Sequence, residues 1–134
     1  MISGTAIAAR GVNPAIKVYG AEPAGADDAV RSLRSGHIVP QTDPRTIADG
    51  LRSSLGDKTF AVISTRVEAI GTASEEAIVR AMRLTWEKLK LVIEPSSAVP
   101  LAALLERTVP VAGLRVGVIL TGGNVDLDHL PWQP

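Results

Sequence analysis

The stretch that most narrows what this chain can fold into is "VGVILTGGNVDLDHL", which begins at Val116. Val116 to Leu120 are apolar and mostly β-branched, the composition of a strand buried on both faces. Strands without a polar face belong to sheets covered by helices. The run then turns polar at once, through Thr121, Gly122, Gly123 and Asn124. In an open α/β sheet ligands bind beyond the carboxyl ends of the strands, and paired glycines let the backbone approach a ligand closely. Gly-Gly and Gly-Asn are equally ordinary turn dipeptides, so these residues alone leave a plain turn and a binding site as even alternatives.

The rest of the chain supports a sheet-and-helix alternation. "AIKVYGAEP" reads as a strand ending at Glu22-Pro23, and "EAIGTA" as a second, weaker one. Aromatic residues are scarce (Trp86, Trp132, Tyr19 and Phe60), which leaves Val, Ile, Leu and Ala to form the core, as in parallel α/β packing. The expectation is a three-layer α/β unit with an open, mainly parallel sheet, in which residues 16–22 and 115–120 lie in the same sheet.

Helix signals fall between these runs. "ISGTAIAARG" is an Ala-rich helix closed by Gly11, and "GADDAVRSLRSG" one with Asp27 and Asp28 in its first turn and Gly36 at its end. "DPRTIADGLRSSLGDKTFAVISTRV" divides into two short helices around Gly50 and Gly56. The clearest helix has Thr72 and Glu75 as a capping box and keeps Ile78, Ala81, Met82, Thr85, Trp86 and Leu89 on one face. Pro100 would break a helix interior, so the helix in "EPSSAVPLAALLERTV" is expected to open near Ser96 or Ser97.

At 134 residues the chain is read as one domain, with enough length for a real core. Fourteen basic and fourteen acidic residues balance, which gives no sign of a nucleic-acid or anionic-membrane partner. The absence of cysteine removes disulfides, zinc-thiolate sites and cysteine nucleophiles, and suits a cytoplasmic protein. The opening "MISGTAIAARG" lacks the charged region of a signal peptide, and no stretch could span a bilayer.

Three segments place polar groups at strand ends or helix starts: "GAEPAGADD", "IEPSSA" and "TGGN". Glu22 and Asp28 flank a tight turn, where two carboxylates and free carbonyls could hold a hard cation. The simpler reading is that Asp27 and Asp28 offset a helix dipole while Glu22 is a solvated strand end. "IEPSSA" reads as helix capping by Ser96 or Ser97, and His37 and His129 as surface residues. No GxGxxG, P-loop or GxSxG motif occurs.

Taken in order, "KVYGAEPAGADD", "TIADGLRSSLG", "WEKLKLVIEPSSAVPLAALL" and "VILTGGNVDL" resemble the C-terminal half of the serine racemase and threonine dehydratase family, fold type II pyridoxal-phosphate (PLP) enzymes. The resemblance covers essentially the whole chain. It implies that 1–134 are the C-terminal portion of the large domain. It further implies that "ISGTAIAA" follows a glycine-rich loop cradling the cofactor phosphate, and that the Schiff-base lysine lies in a preceding part. Lys17, Lys58, Lys88 and Lys90 do not sit in the family's lysine motif.

Carried over residue by residue, the resemblance sets Thr121 against the pyridine nitrogen of PLP. A neutral hydroxyl there moderates the electron sink, which suits β-elimination of water from serine or threonine. Gly122, Gly123 and Asn124 shape that turn, Gly50 in "IADG" lines the cofactor, and Glu94 matches an acid near the cofactor and substrate. Glu22, the Ala26 carbonyl and Asp28 match a site for Mg²⁺, Ca²⁺ or Mn²⁺. Pro100 departs from the small residue usual in the family. The implied function is that of an ammonia-lyase (dehydratase) or racemase, with this chain inactive alone for want of the lysine. A non-catalytic truncated paralogue acting as a binding or assembly module is the alternative, and a small nucleotide-binding protein is disfavoured by the missing phosphate motif. An apolar face including Ile7, Ala8 and Val18 is expected to be covered by a second copy or by a separate N-terminal chain.

Overall fold

The computed structural model describes residues 1–133. Its elements are α1 (Ile2–Val12), β1 (Tyr19–Pro23), α2 (Asp28–Ser35), a 3-10 turn (Asp49–Leu51), α3 (Asp57–Arg66), β2 (Ala69–Ala73), α4 (Glu75–Leu89) and α5 (Pro95–Leu105). β1 and β2 pair in parallel, from Tyr19 opposite Ala69 to Pro23 opposite Ala73. Parallel neighbours need a long crossover, here residues 24–68 with α2 and α3 inside it. Two more bonds extend the ladder, Glu68 N–H to the Val18 carbonyl (2.9 Å) and Ala24 N–H to the Ala73 carbonyl (2.8 Å).

The α/β class with a parallel sheet is the expected one, but the sheet's membership differs. β1 pairs with the weak "EAIGTA" run and begins at Tyr19 rather than at residue 16. Residues 115–120 form no strand, and Val116, Val118 and Ile119 are 46%, 36% and 51% exposed. The reason is physical. Strand composition is a preference for a pleated, half-covered surface, and a ladder also needs a neighbour to satisfy each N–H and C=O. No strand among the described residues lies alongside this run.

The helices follow their end signals with three corrections. Gly36 closes α2 with φ 73°, whereas α1 runs past Gly11 to Val12. Thr72 belongs to β2, opposite Glu22, so the cap of α4 is Ser74, whose hydroxyl accepts the Ala77 N–H at 3.2 Å. α5 opens at Pro95 with Glu94 as its N-cap, which puts Pro100 inside the helix. Pro95 has the fixed φ a first helical position favours. Pro100 leaves the Ser96 carbonyl with no N–H to accept four residues on.

α4 packs on α5, and α5 packs on both strands. Ala77, Ala81, Ala98, Ala102 and Ala103 let these layers approach closely, and Ile78, Met82, Ile93 and Val99 fill between them. The segment after α5 returns over this core through Leu120, Val125 and Trp132. There the Trp132 ring meets Trp86 edge-on, with centroids 5.3 Å apart and planes at 85°. On the other side, α1, β1 and residues 111–119 border a cleft of about 1210 Å³ lined by apolar side chains such as Ile2, Ile16, Ile70, Leu104, Val116 and Ile119. Ile7 is exposed as expected, but Val18 is buried beneath this border. No helix among the described residues is long and apolar enough to cross a membrane.

Candidate functional site

The first turn of α5 gathers most of the residues singled out in the sequence. Glu94 precedes it. Its backbone N–H donates to the Gly122 carbonyl (3.2 Å), and its Oε2 accepts the Asn124 N–H (2.9 Å). Gly122 adopts φ 84°, and a Cβ there would lie 2.5 Å from the Glu94 carboxylate, so a side chain at 122 would strain the backbone and push that carboxylate aside. One residue into the helix, the Ser96 hydroxyl accepts the Gly50 N–H (3.1 Å), which also donates to Asp49 Oδ1 (2.8 Å). Gly50, Glu94 and the 122–124 turn are thereby held together. Thr121 is exposed at the start of that turn, and its hydroxyl has no protein partner among the described residues.

Ser96 is therefore not the cap expected of it, since its hydroxyl serves the neighbouring loop. Ser97 is buried (3% exposed), and its hydroxyl has no partner among the described residues. The cleft reaches this cluster, for Gly50, Leu51, Ser96 and Pro100 line it. Lys17 borders the same cleft. Ser96 was not distinguished in the sequence as a partner of Gly50, because a contact across 46 residues leaves no local pattern.

The second group sits where β1 meets α2. Glu22 is half-buried, not a solvated strand end. Its two oxygens accept the Ala29 (3.2 Å) and Val30 (3.0 Å) N–H groups from the first turn of α2. Burial pushes its carboxyl up to about 7 against the lowering by those bonds, with Asp28 and Asp27 adding to the rise. Asp28 is buried and accepts the Leu55 N–H at 3.3 Å, and burial raises its carboxyl as well. Ala26 is buried in the turn between them. Among the described residues no set of three or more His, Cys, Asp or Glu side chains is disposed to hold a metal, so a cation here would rest on two carboxylates, carbonyl oxygens and water. His37 and His129 are both exposed, and His129 pairs with Asp126 at 2.7 Å.

A turn with a free hydroxyl and close-approach glycines, joined through Ser96 and Gly50 to the cleft, could hydrogen-bond one atom of a flat aromatic ring through a neutral donor. A single neutral hydroxyl of this kind would suit the ring nitrogen of a pyridine such as that of PLP.

Comparison with known proteins bears on the same reading. Residues 1–122 match the family described as pyridoxal-phosphate dependent enzyme. The chain is 52% identical over 133 residues to beta-hydroxyaspartate dehydratase of Paracoccus denitrificans (strain Pd 1222), a match covering 99% of this chain and 42% of that protein. It is 46% identical over 134 residues to serine racemase of Dictyostelium discoideum, over 97% of this chain and 41% of that one. Among solved structures, maize serine racemase superposes with a TM-score of 0.90 at 43% identity, covering 95% of this chain and 40% of that one. The chain thus spans about two-fifths of the length of the curated relatives it matches.

Proposed function

Because this chain belongs to the pyridoxal-phosphate dependent enzyme family, we propose that residues 1–134 are the C-terminal part of the large α/β domain of an ammonia-lyase or racemase. Its substrate would be a hydroxy amino acid of the serine, threonine or 3-hydroxyaspartate type. The observation that carries this reading is the convergence of Gly50, Glu94 and the 121–124 turn on the first turn of α5, beside the cleft. Bound PLP would supply an electron sink for the pair released when an α-proton leaves the substrate. The chain's own residues orient and tune it. Thr121 offers a neutral hydroxyl to the ring nitrogen, which cannot hold a pyridinium as a carboxylate would and so favours loss of water at the β-carbon. Gly50, Gly122, Gly123 and Asn124 would border the ring, and Glu94 would act through the turn it holds. Glu22, the Ala26 carbonyl and Asp28 would hold Mg²⁺, Ca²⁺ or Mn²⁺ with water and tie β1 to α2. Calorimetry should show cation binding that Asp28→Ala abolishes, and equal binding by both proteins would remove this site from the reading.

Covalent PLP chemistry needs a lysine amine in the family's motif, and the four lysines here lie outside it. The chain alone is therefore expected to release no ammonia or 2-oxo acid, while the enzyme assembled with the remaining family segments should do so. That segment would reach it as one longer polypeptide or as a separate N-terminal chain, and a homo-oligomer would cover the apolar face. The cysteine-free composition suits the cytoplasm. The deciding assay measures 2-oxo acid and ammonia from serine, threonine and 3-hydroxyaspartate. Turnover by the 134-residue chain alone, or none by the assembled enzyme, would overturn the proposal.

A further inference from the structure

We infer that Glu94 is a positioning residue whose carboxylate clamps the 121–124 turn and thereby sets where Thr121 presents its hydroxyl. The inference rests on the functional reading above for its purpose, but not for its geometry. Glu94 occupies the N-cap of an eleven-residue helix, where a short acceptor side chain ordinarily bonds the second or third N–H of its own helix. Here the side chain makes no cap bond. The carboxylate is turned instead toward the neighbouring turn, where Oε2 accepts the Asn124 N–H at 2.9 Å.

Two further observations point the same way. The Glu94 N–H reaches the Gly122 carbonyl at 3.2 Å, so one residue holds the turn by both its backbone and its side chain, two residues apart. The carboxylate also fills the space that a side chain at 122 would need, 2.5 Å from an added Cβ, so the glycine and the acid are a matched pair. The turn is exposed and begins at Thr121, the only residue from 121 to 124 with a side-chain hydroxyl. A bond to a charged acceptor at its far end, with the backbone bond in its middle, leaves Thr121 little freedom to reorient.

The test uses the chain as it stands and needs no cofactor. In nuclear magnetic resonance, Glu94→Ala is expected to speed exchange of the Asn124 amide at least tenfold while amides within α4 keep their protection. Glu94→Gln, which keeps an acceptor oxygen, is expected to restore most of that protection and to move the Asn124 amide proton upfield as the charge is lost. Gly122→Ala should lower the melting temperature of the wild-type background by more than that of the Glu94→Ala background, because the clashing carboxylate is then absent. Unchanged Asn124 exchange in Glu94→Ala, an unmoved Asn124 resonance in Glu94→Gln, or equal effects of Gly122→Ala in both backgrounds would each overturn the clamp. If the clamp holds but Thr121→Val leaves PLP affinity of the assembled enzyme unchanged, the functional reading fails and the clamp stands.

Discussion

Gly25 lies where the Arg45 carbonyl oxygen would be 2.0 Å from an added Cβ, and the same two residues share an Arg45 N–H to Gly25 carbonyl bond of 2.8 Å. The obstruction is backbone and cannot rotate away. Gly25→Ala should therefore cost at least the roughly 1–3 kcal/mol typical of overpacking, read as a lower urea midpoint, and an unchanged midpoint would show that the two loops separate freely. Thr121 is the opposite case. It is exposed and without a protein partner among the described residues, so Thr121→Val should leave stability within about 0.5 kcal/mol while weakening PLP binding by the assembled enzyme. Equal melting temperatures with unequal cofactor affinity are the expected pair of results. Of the candidate site, the turn at Thr121, the two glycines after it and Asn124 was legible as a polar turn closing an apolar run, while these residues alone left a plain turn and a binding site as even alternatives. The roles of Glu94, Ser96 and Glu22 were not, because each bonds a backbone group from a separate segment of the chain.

At the scale of elements, the start of α4 is tied to the end of α5. Ser74 donates its N–H (2.9 Å) and its hydroxyl (2.6 Å) to the Glu106 carboxylate, while its own oxygen accepts from Ala77. The Ser74 bonds hold the Glu106 carboxyl below its ordinary 4.5, side-chain bond first. A depressed acid contributes stability that is present above the unfolded value and lost as pH falls through the folded one. Thermal melts should thus show the wild type losing stability below about pH 4.5 more steeply than Glu106→Gln, and parallel acid limbs would show the tie to be inert. Ser74→Ala removes the cap as well and should cost about 0.5–2 kcal/mol. Within the layer beneath, Ile78→Ala should cost about 2–5 kcal/mol, since Ile78 is fully buried at the contact with α5. α2 and α4 were readable because glycine punctuation and apolar spacing are local. The cap of α4 was misread by two residues because the demands of the parallel ladder claim Thr72 for β2. Residues 115–120 carry a strand's composition without a strand's partner, a distinction that no inspection of one segment can make.

At the scale of the whole molecule, the described residues carry a two-stranded sheet and, beside it, an apolar cleft of about 1210 Å³. Open edges and large apolar surfaces favour association. The chain by itself is expected to bind a hydrophobic dye and to sediment as more than a monomer, with a concentration-dependent melting temperature. A dilute, dye-silent monomer that melts cooperatively would show that the cleft is closed in solution. The pairing of Trp86 with Trp132 has a separate consequence, an optical one. These are the only two tryptophans in the sequence, and both stand at one junction between α4 and the returning C-terminal segment. Trp86 also donates its ring N–H to the Ile93 carbonyl at 3.0 Å, one residue before Glu94. The tryptophan emission of the chain, excited beyond the absorption of Tyr19, is therefore a local gauge, reporting from one place whether the last residues lie against the core, without any label attached.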